Sequence, residues 1–381
     1  MNLHVTSDSY GLFPKQIAMR IKRDGSSEKN KMVNLGERSV IQDEIITYIS
    51  DSSESINNFI ATIDKIDKII FHPYNFLCYN FLQIILKKYP KVQVYWAFWS
   101  YDLYNLPHLT LEHYEPFAKN YVKEQRGLSK RIKDLKIVGS LVLKFCYATG
   151  IKKNHTKKLI DSFKDINFFC SFLPSDFLFF EKVSSNKTTK YLPFAYLSLD
   201  DIVPDPDNFE FTPGNKIMIG HSSSPSGNHY EIIQRLGEIN PGFSVFLPLA
   251  YGDENYGNLI EREAFKKFKT PDVQRQKLDS ATYSRKLTEV GWAIINVKVQ
   301  QGLGNIIALI FMGVKVFLDE DSSTYKDFSA WGIVVFTVQH DLNLFKLSNK
   351  LSKKEIENNR AIISNKCNSE LVKQYWNNIL F

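Results

Sequence analysis

From Val290 to Asp319 the chain reads VGWAIINVKVQQGLGNIIALIFMGVKVFLD, and its apolar positions fall into three runs. Trp292 to Val297 is short and rich in β-branched residues, Asn305 to Met312 is closed by Gly313, and Val314 to Leu318 is short again. This spells strand, loop, helix, strand, one βαβ unit of a buried parallel sheet. The loop Lys298 to Gly304 therefore lies at the carboxyl end of a strand and the amino end of a helix. Glycines there let the backbone approach a ligand closely, and unpaired N–H groups with the helix dipole favour a phosphate; a plain helix-capping loop would use the same glycines.

The pattern recurs through both halves. In the amino half, strands are predicted at Leu3–Thr6, Lys68–Phe71, Val92–Phe98, Phe168–Leu173 and Lys190–Phe194, with another element at Glu44–Ile49. An amphipathic stretch surrounds Lys15 to Lys22, and an apolar helix runs from about Phe76 to Lys87. Leu199 to Gly214, with Pro204, Pro206 and Pro213, reads as an interdomain linker. Beyond it come strands at Lys216–Gly220 and Phe243–Leu247, and helices at about His229–Leu236, Asn258–Phe268 and Ala281–Glu289. Ser369 to Ile379 closes the chain as an amphipathic helix anchored by Tyr375 and Trp376. Strand followed by polar loop, repeated in this way, is the signature of doubly wound sheets whose strand ends gather side chains at one crevice.

That rule selects the candidate residues. Asp8, His72 and Asp102 each follow a predicted strand. His72 suits a general base or a phosphate contact and the aspartates suit a general base, while a hydrogen-bonded core histidine and helix-capping aspartates are the alternatives. His221 to Asn228 (HSSSPSGN) is a small-residue loop between strand and helix, a second anion cradle built from hydroxyls and N–H groups. Asp205-Pro-Asp207 imitates a D-x-D metal site, but it stands in the proline-rich linker and not at a strand end.

Length and composition add bounds. A chain of 381 residues, 44% apolar and 23% charged, suits two globular domains. No run of eighteen apolar residues and no signal-peptide layout appears, so a cytoplasmic protein is expected. Cys78, Cys146, Cys170 and Cys367 lack C-x-x-C spacing and read as small buried apolar residues. The net charge of +7 is concentrated between Lys119 and Lys158, where Lys130, Arg131 and Lys133 sit among nine further cations opposed only by Glu124 and Asp134. Such a stretch is either a solvated face or a surface for an anionic partner. The interleaved apolar run Ile137 to Tyr147 favours a membrane interface over nucleic acid.

The sequence resembles the bacterial TDP-Fuc4NAc:lipid II Fuc4NAc transferases, also described as 4-alpha-L-fucosyltransferases, of enterobacterial common antigen synthesis. The residues that carry the resemblance are Leu3-His-Val with Ser7-Asp8; Phe71-His72 with Asn75; and Trp96, Trp99, Asp102, Leu103 and Tyr104. In the second half they are Ile219-Gly220-x-Ser222 with Asn228-His229, Pro248 with Tyr251, and Gln300-Gln301-Gly302-x-Gly304. They span about residues 3 to 340, whereas Leu106 to Leu192 matches poorly.

The resemblance implies an α/β fold of the GT-B glycosyltransferase kind, two Rossmann-like domains facing a central cleft. The expected division is an acceptor domain over 1–198, a linker over 199–214, a nucleotide-sugar domain over 215–361 and a terminal helix over 362–381. The implied donor is a dTDP- or UDP-linked deoxy or amino sugar, held by Gly220, Ser222, Ser223, Ser224, Tyr251, Gln300, Gln301, Gly302, Gly304 and Asn305. The implied acceptor is a polyprenyl-pyrophosphate-linked saccharide at the inner membrane face, with Trp99 and Tyr104 beside it and Lys130, Arg131 and Lys133 on the membrane. The base candidates are Asp102, Asp8 and His72, in that order. No metal or cofactor is needed, because helix dipoles and N–H groups would carry the phosphate charge. Two competing readings are a non-catalytic scaffold of the same shape and a nucleotide-dependent oxidoreductase or epimerase. Against the latter, no G-x-G-x-x-G follows the first strand.

Overall fold

The computed structural model describes residues 1–7, 12–23, 28–36, 43–106, 109–125, 155–203, 205–206, 212–239 and 242–381. Asp8, Lys130, Arg131, Lys133, Cys146 and Asp207 lie outside the described residues. The chain forms two compact units, the first from Met1–Leu106, Asn154–Tyr196 and Glu370–Phe381, the second from Pro107–Lys153 and Leu197–Ser369, through the described residues of each span.

The first unit is built on a seven-stranded sheet of β1 (Asn2–Thr6), β2 (Asn30–Leu35), β3 (Ile46–Ile49), β4 (Lys68–His72), β5 (Gln93–Ala97), β6 (Phe168–Ser171) and β7 (Lys190–Pro193). Its spatial order is β3-β2-β1-β4-β5-β6-β7, and every pair is parallel. The chain winds outward one way from β1 and the other way from β4, so the topological switch point lies between them. Thr6 pairs with His72 across that point, which sets the loops after β1 and β4 side by side.

The terminal helix Ser369–Leu380 belongs to this unit. Val372, Trp376 and Ile379 recur at helical spacing and are buried with Ile17, Ile21 and Ile70. Its last carbonyls, which no helical turn can satisfy, accept the Asn2 and Asn30 amides at Leu380 (2.7 and 3.2 Å) and the Lys68 ammonium at Asn378 (3.1 Å).

The second unit holds a six-stranded sheet of β8 (Lys216–Ile219), β9 (Val245–Pro248), β10 (Asp272–Gln274), β11 (Val290–Ile295), β12 (Lys315–Leu318) and β13 (Phe336–Thr337). The order is β10-β9-β8-β11-β12-β13, again parallel throughout. Here the switch point lies between β8 and β11. The helix Leu303–Phe311 follows β11, and all of Ile306 to Phe311 is buried, as expected of an apolar run covered on every side.

Three boundaries differ from the expected division. The helix Pro116–Gln125 joins the second unit, because Phe117 and Tyr121 pack on the core of Ile232, Ile233 and Tyr256. The start of the expected linker is a helical turn, Leu199–Ile202, closed by a reciprocal Ser198–Asp201 capping box. The expected helix over 362–381 is two helices, Lys353–Cys367 and Ser369–Leu380, broken at the extended Asn368 and divided between the units. Cys78, Cys170 and Cys367 are free and buried. Among the described residues no helix is long and apolar enough to cross a membrane.

Candidate functional site

In the second unit the loops after β8 and β11 meet at the switch point. The β11 loop ends at Gly302, which has φ +68° and caps the Leu303–Phe311 helix without any side-chain hydrogen bond. The first intrahelical bond from its backbone is Ile306 N–H to the Gly302 carbonyl, 3.0 Å, so the N–H groups of the first turn are left without helical acceptors. No acidic residue lies in that turn, and the dipole there favours an anion.

The two glycines differ in kind. A Cβ at Gly302 would lie 2.8–2.9 Å from ring atoms of His221, whereas one at Gly304 would meet nothing within 4 Å. Gly302 is thus required by the fold, and Gly304 borders open space.

The β8 loop is tied to its partner by side chains. The Ser224 and Ser226 hydroxyls are 2.8 Å apart, and Ser226 Oγ donates to Gln301 Oε1 at 2.7 Å. Ser223 bonds the Tyr251 carbonyl twice, through its N–H and its Oγ, each at 2.8 Å, which anchors the β9 loop to the same edge. The Tyr251 ring itself is 57% exposed and is available for stacking. Under the loop, the His229 ring fills the space that Gly220 and Gly227 leave open; a Cβ at either would lie 2.1–2.2 Å from it.

Asn228, fully buried at φ +48°, joins three chain segments. Its Nδ2 donates to the carbonyls of Asn296 (2.9 Å), His113 and Ser226 (both 3.3 Å), and its Oδ1 accepts the Glu115 N–H at 2.8 Å. Lys298, in the β11 loop, pairs with Glu115 at 2.8 Å. Phe117 stacks on Tyr230 with centroids 3.8 Å apart, and Tyr121 donates to Asp253 at 2.9 Å. The stretch 109–125 is therefore a strap that fixes both switch-point loops.

In the first unit, Asn75 caps the Phe76–Lys88 helix through Oδ1 and donates from Nδ2 to Ser7 Oγ at 2.6 Å. This bond joins the β1 and β4 loops, so Ser7, the residue before Asp8, sits at the switch point. His72 is buried in a chain of hydrogen bonds: Asn30 Oδ1 to His4 Nε2 (3.0 Å), His4 Nδ1 to His72 Nε2 (3.1 Å), His72 Nδ1 to Tyr196 OH (2.8 Å). Asn30 Oδ1 only accepts, so His4 carries its proton on Nε2; His72 then donates from Nε2 and accepts from Tyr196 at Nδ1. Burial pushes the His4 imidazole down to about 4 and His72 well below its ordinary range, so both are neutral.

Asp102 follows β5, one strand beyond the switch point. Its Oδ2 accepts Trp96 Nε1 at 2.5 Å and the Tyr74 N–H at 3.3 Å, and its Oδ1 accepts the Trp99 N–H at 3.3 Å. Burial pushes its carboxyl up to about 7 against the pull of these donors. The carboxylate thereby holds a turn in which Ser100 has φ +76°, an unfavourable conformation for serine. Tyr104 is buried, with its hydroxyl on Asp176 Oδ1 at 2.7 Å and its ring stacked on Phe179. Trp99 is half-buried, edge-on to Tyr196 at 5.1 Å.

Of the residues selected from sequence, the structure brings Gly220, Ser222, Ser223, Ser224, Gln300, Gln301, Gly302, Gly304 and Asn305 to one edge of the second sheet, and His72 with Ser7 to the first. Sequence reasoning named the His221–Asn228 loop as an anion cradle but gave His221, Ser226 and Asn228 no role of their own, and it omitted Glu115. His221 stands directly after a strand, the same signal that selected His72.

Comparison with known proteins agrees with this architecture. The structure resembles the trehalose-6-phosphate phosphatase N-terminal domain of Candida albicans (11% identity over 100% of this chain and 96% of that chain, TM-score 0.62). It also resembles an alpha,alpha-trehalose-phosphate synthase (UDP-forming) from Burkholderia vietnamiensis (10%, 99% and 99%, 0.62). A third likeness is to sucrose-phosphate synthase from Thermosynechococcus elongatus (9%, 100% and 98%, 0.60). At these identities the likeness fixes the fold, which is GT-B. Among curated proteins none matches the sequence. Residues 171–378, more than half of the chain, match the family described as 4-alpha-L-fucosyltransferase, glycosyl transferase group 56, and the chain belongs to that family of glycosyltransferases.

Proposed function

We propose that this glycosyltransferase moves a deoxyamino sugar of the Fuc4NAc kind from a dTDP- or UDP-linked donor to a polyprenyl-pyrophosphate-linked saccharide. The observation that carries the reading is the uncapped amino end of the Leu303–Phe311 helix, open at Gly304 and flanked by the serine loop 222–226. The donor's diphosphate would take the first-turn N–H groups, whose dipoles are already oriented for the charge that grows on the leaving group in the transition state. Gln300, Gln301 and Asn305 border the same opening for sugar or phosphate oxygens, and Tyr251 offers its exposed ring to the base. The family membership and the UDP-forming relative of the same fold support a nucleotide-sugar donor.

The acceptor falls to the first unit in this reading. Asp8, which follows Ser7 in the sequence, becomes the favoured base for the acceptor hydroxyl, because every oxygen of Asp102 and both ring nitrogens of His72 already have partners. The cation-rich stretch from Lys119 to Lys158 supports an anionic membrane surface as the place of work, at about 1 kcal/mol per cation near the lipid.

A thermal-shift panel with dTDP, UDP, GDP and NAD tests the donor class, since a ligand at 100 times its Kd stabilises by about 2.7 kcal/mol. Stabilisation by dTDP or UDP, with sugar transfer lost in Asp8→Asn, is the expected result. A shift with NAD alone, or with none of the four, overturns it.

A further inference from the structure

We infer that His221 is a donor-binding residue whose imidazole Nδ1–H meets the diphosphate at the amino end of the Leu303–Phe311 helix. The inference rests on the proposed nucleotide-sugar donor. Two independent observations converge on one point. The helix end carries no side-chain cap, and beside it stands a histidine that is 3% exposed and whose Nδ1 has no hydrogen-bond partner. Buried ring nitrogens are ordinarily paired, so this one points to a group that arrives with the ligand.

The neighbours fix what that group must be. Ser222 Oγ accepts the Ser224 N–H at 3.4 Å and lies 3.5 Å from His221 Nε2. With the Ser222 proton directed at Nε2, the imidazole carries its own proton on Nδ1 and presents a donor. The ring lies against the α-carbon of Gly302, with the Cγ, Cδ2 and Nδ1 atoms all within 2.9 Å of where a Cβ would stand. Nδ1 is thereby held beside the residue from which the helix N–H groups begin. A ring N–H and a helix dipole in one place both call for an anionic oxygen, and a neutral sugar hydroxyl would use only the first.

Burial pushes the His221 imidazole down to about 4, so it is neutral in the empty protein. The titratable groups beside it are His229, itself held neutral at about 3, and the Tyr251 phenol. A bound diphosphate raises the affinity of His221 for a proton, so diphosphate binding to the wild type strengthens as pH falls from about 7 to 5.5. Loss of a hydrogen bond to a charged group predicts about 10- to 100-fold weaker binding of the diphosphate.

The test is calorimetric titration of the full chain with dTDP and UDP, and with dTMP and UMP, between pH 5.5 and 8. His221→Phe keeps a flat ring against Gly302 and removes the donor. It is expected to lose 10-fold or more in diphosphate affinity, to lose less for the monophosphates, and to show no gain at low pH. His221→Gln keeps an N–H donor without a titrating group, so it should retain part of the affinity with a flat pH profile, and it decides the matter if the Phe variant does not fold. Wild-type affinity and pH profile in either folded variant overturn the role of His221 while leaving the donor class standing. Failure of the wild type to bind dTDP or UDP overturns the donor class and this inference together.

Discussion

Gly302 and Gly304 are two residues apart in one loop, yet alanine should act on them in opposite ways. At Gly302 the backbone has φ +68°, and a Cβ would lie 2.8–2.9 Å from the His221 ring. The left-handed conformation costs an L-residue about 1–2 kcal/mol, and forcing a buried ring aside costs about 1–3 kcal/mol more. Gly302→Ala should therefore lose about 2–5 kcal/mol of folding free energy. At Gly304 no atom lies within 4 Å of a Cβ and the residue sits in the helix first turn. Gly304→Ala should leave stability unchanged or raise it by up to about 1 kcal/mol, since alanine is the better helix former. Its methyl group would instead stand in the space assigned to the diphosphate. Urea unfolding, followed by dTDP and UDP titration of each folded variant, separates the two effects. Equal stability of Gly302→Ala and wild type would refute the packing argument, and undiminished nucleotide binding by Gly304→Ala would refute the placement of the ligand.

Three further outcomes follow from the buried groups. The imidazoles of His4, His72, His221 and His229 are all depressed by burial, so the unfolded chain binds more protons below its ordinary histidine range. Their contribution is complete above about pH 6.5 and is lost as pH falls toward 4, at about 1.4 kcal/mol per pKa unit for each; a urea midpoint that stays flat over that range would contradict this. Asp102, raised to about 7, has the opposite sign, its protonated form being favoured in the fold, so its contribution falls as pH rises from about 4 to 7. Asp102→Asn should thus steepen the acid slope and cost about 1–3 kcal/mol through a mispaired N–H, whereas full stability with abolished turnover would restore Asp102 as the base. Asn228→Ala removes four hydrogen bonds from a buried residue at φ +48° and should cost about 3 kcal/mol or more. Limited proteolysis should then cut the 109–125 strap first, and an uncut strap would argue against Asn228 as its anchor.

What the sequence disclosed, and what it hid, divides along a physical line. Apolar runs such as Lys68–His72 and Val290–Ile295 announce themselves because burial on both faces leaves no polar interruption. The strand Asn30–Leu35 escaped notice because Asn30 and Asn34 read as polar. They are buried all the same, since Asn30 serves His4 and Leu380 and Asn34 serves Thr6. Strands of two or three residues, Phe336–Thr337 and Asp272–Gln274, are too short for any period to register. The helix Pro116–Gln125 shows the harder limit. An amphipathic stripe declares that it will be covered, but not by which core, and here the choice was made by Asn228 and Glu231 far along the chain.

The same line runs through the site. Strand-end position located both switch-point loops, because in a parallel sheet that position follows from element order alone. It could not rank the residues within them, because a carboxylate is free for chemistry or engaged in the fold according to partners distant in sequence. Asp102 stood first among the base candidates that the resemblance implied, yet the Trp96 indole and the N–H groups of Tyr74 and Trp99 occupy it. His221 was counted only as part of its loop, yet its ring nitrogen is left unpaired by a glycine loop that only the folded sheet brings near. Rank among residues at a strand end is therefore set by hydrogen-bond supply, and an unfilled buried donor is a better sign of a ligand than a charge that the fold has already paired.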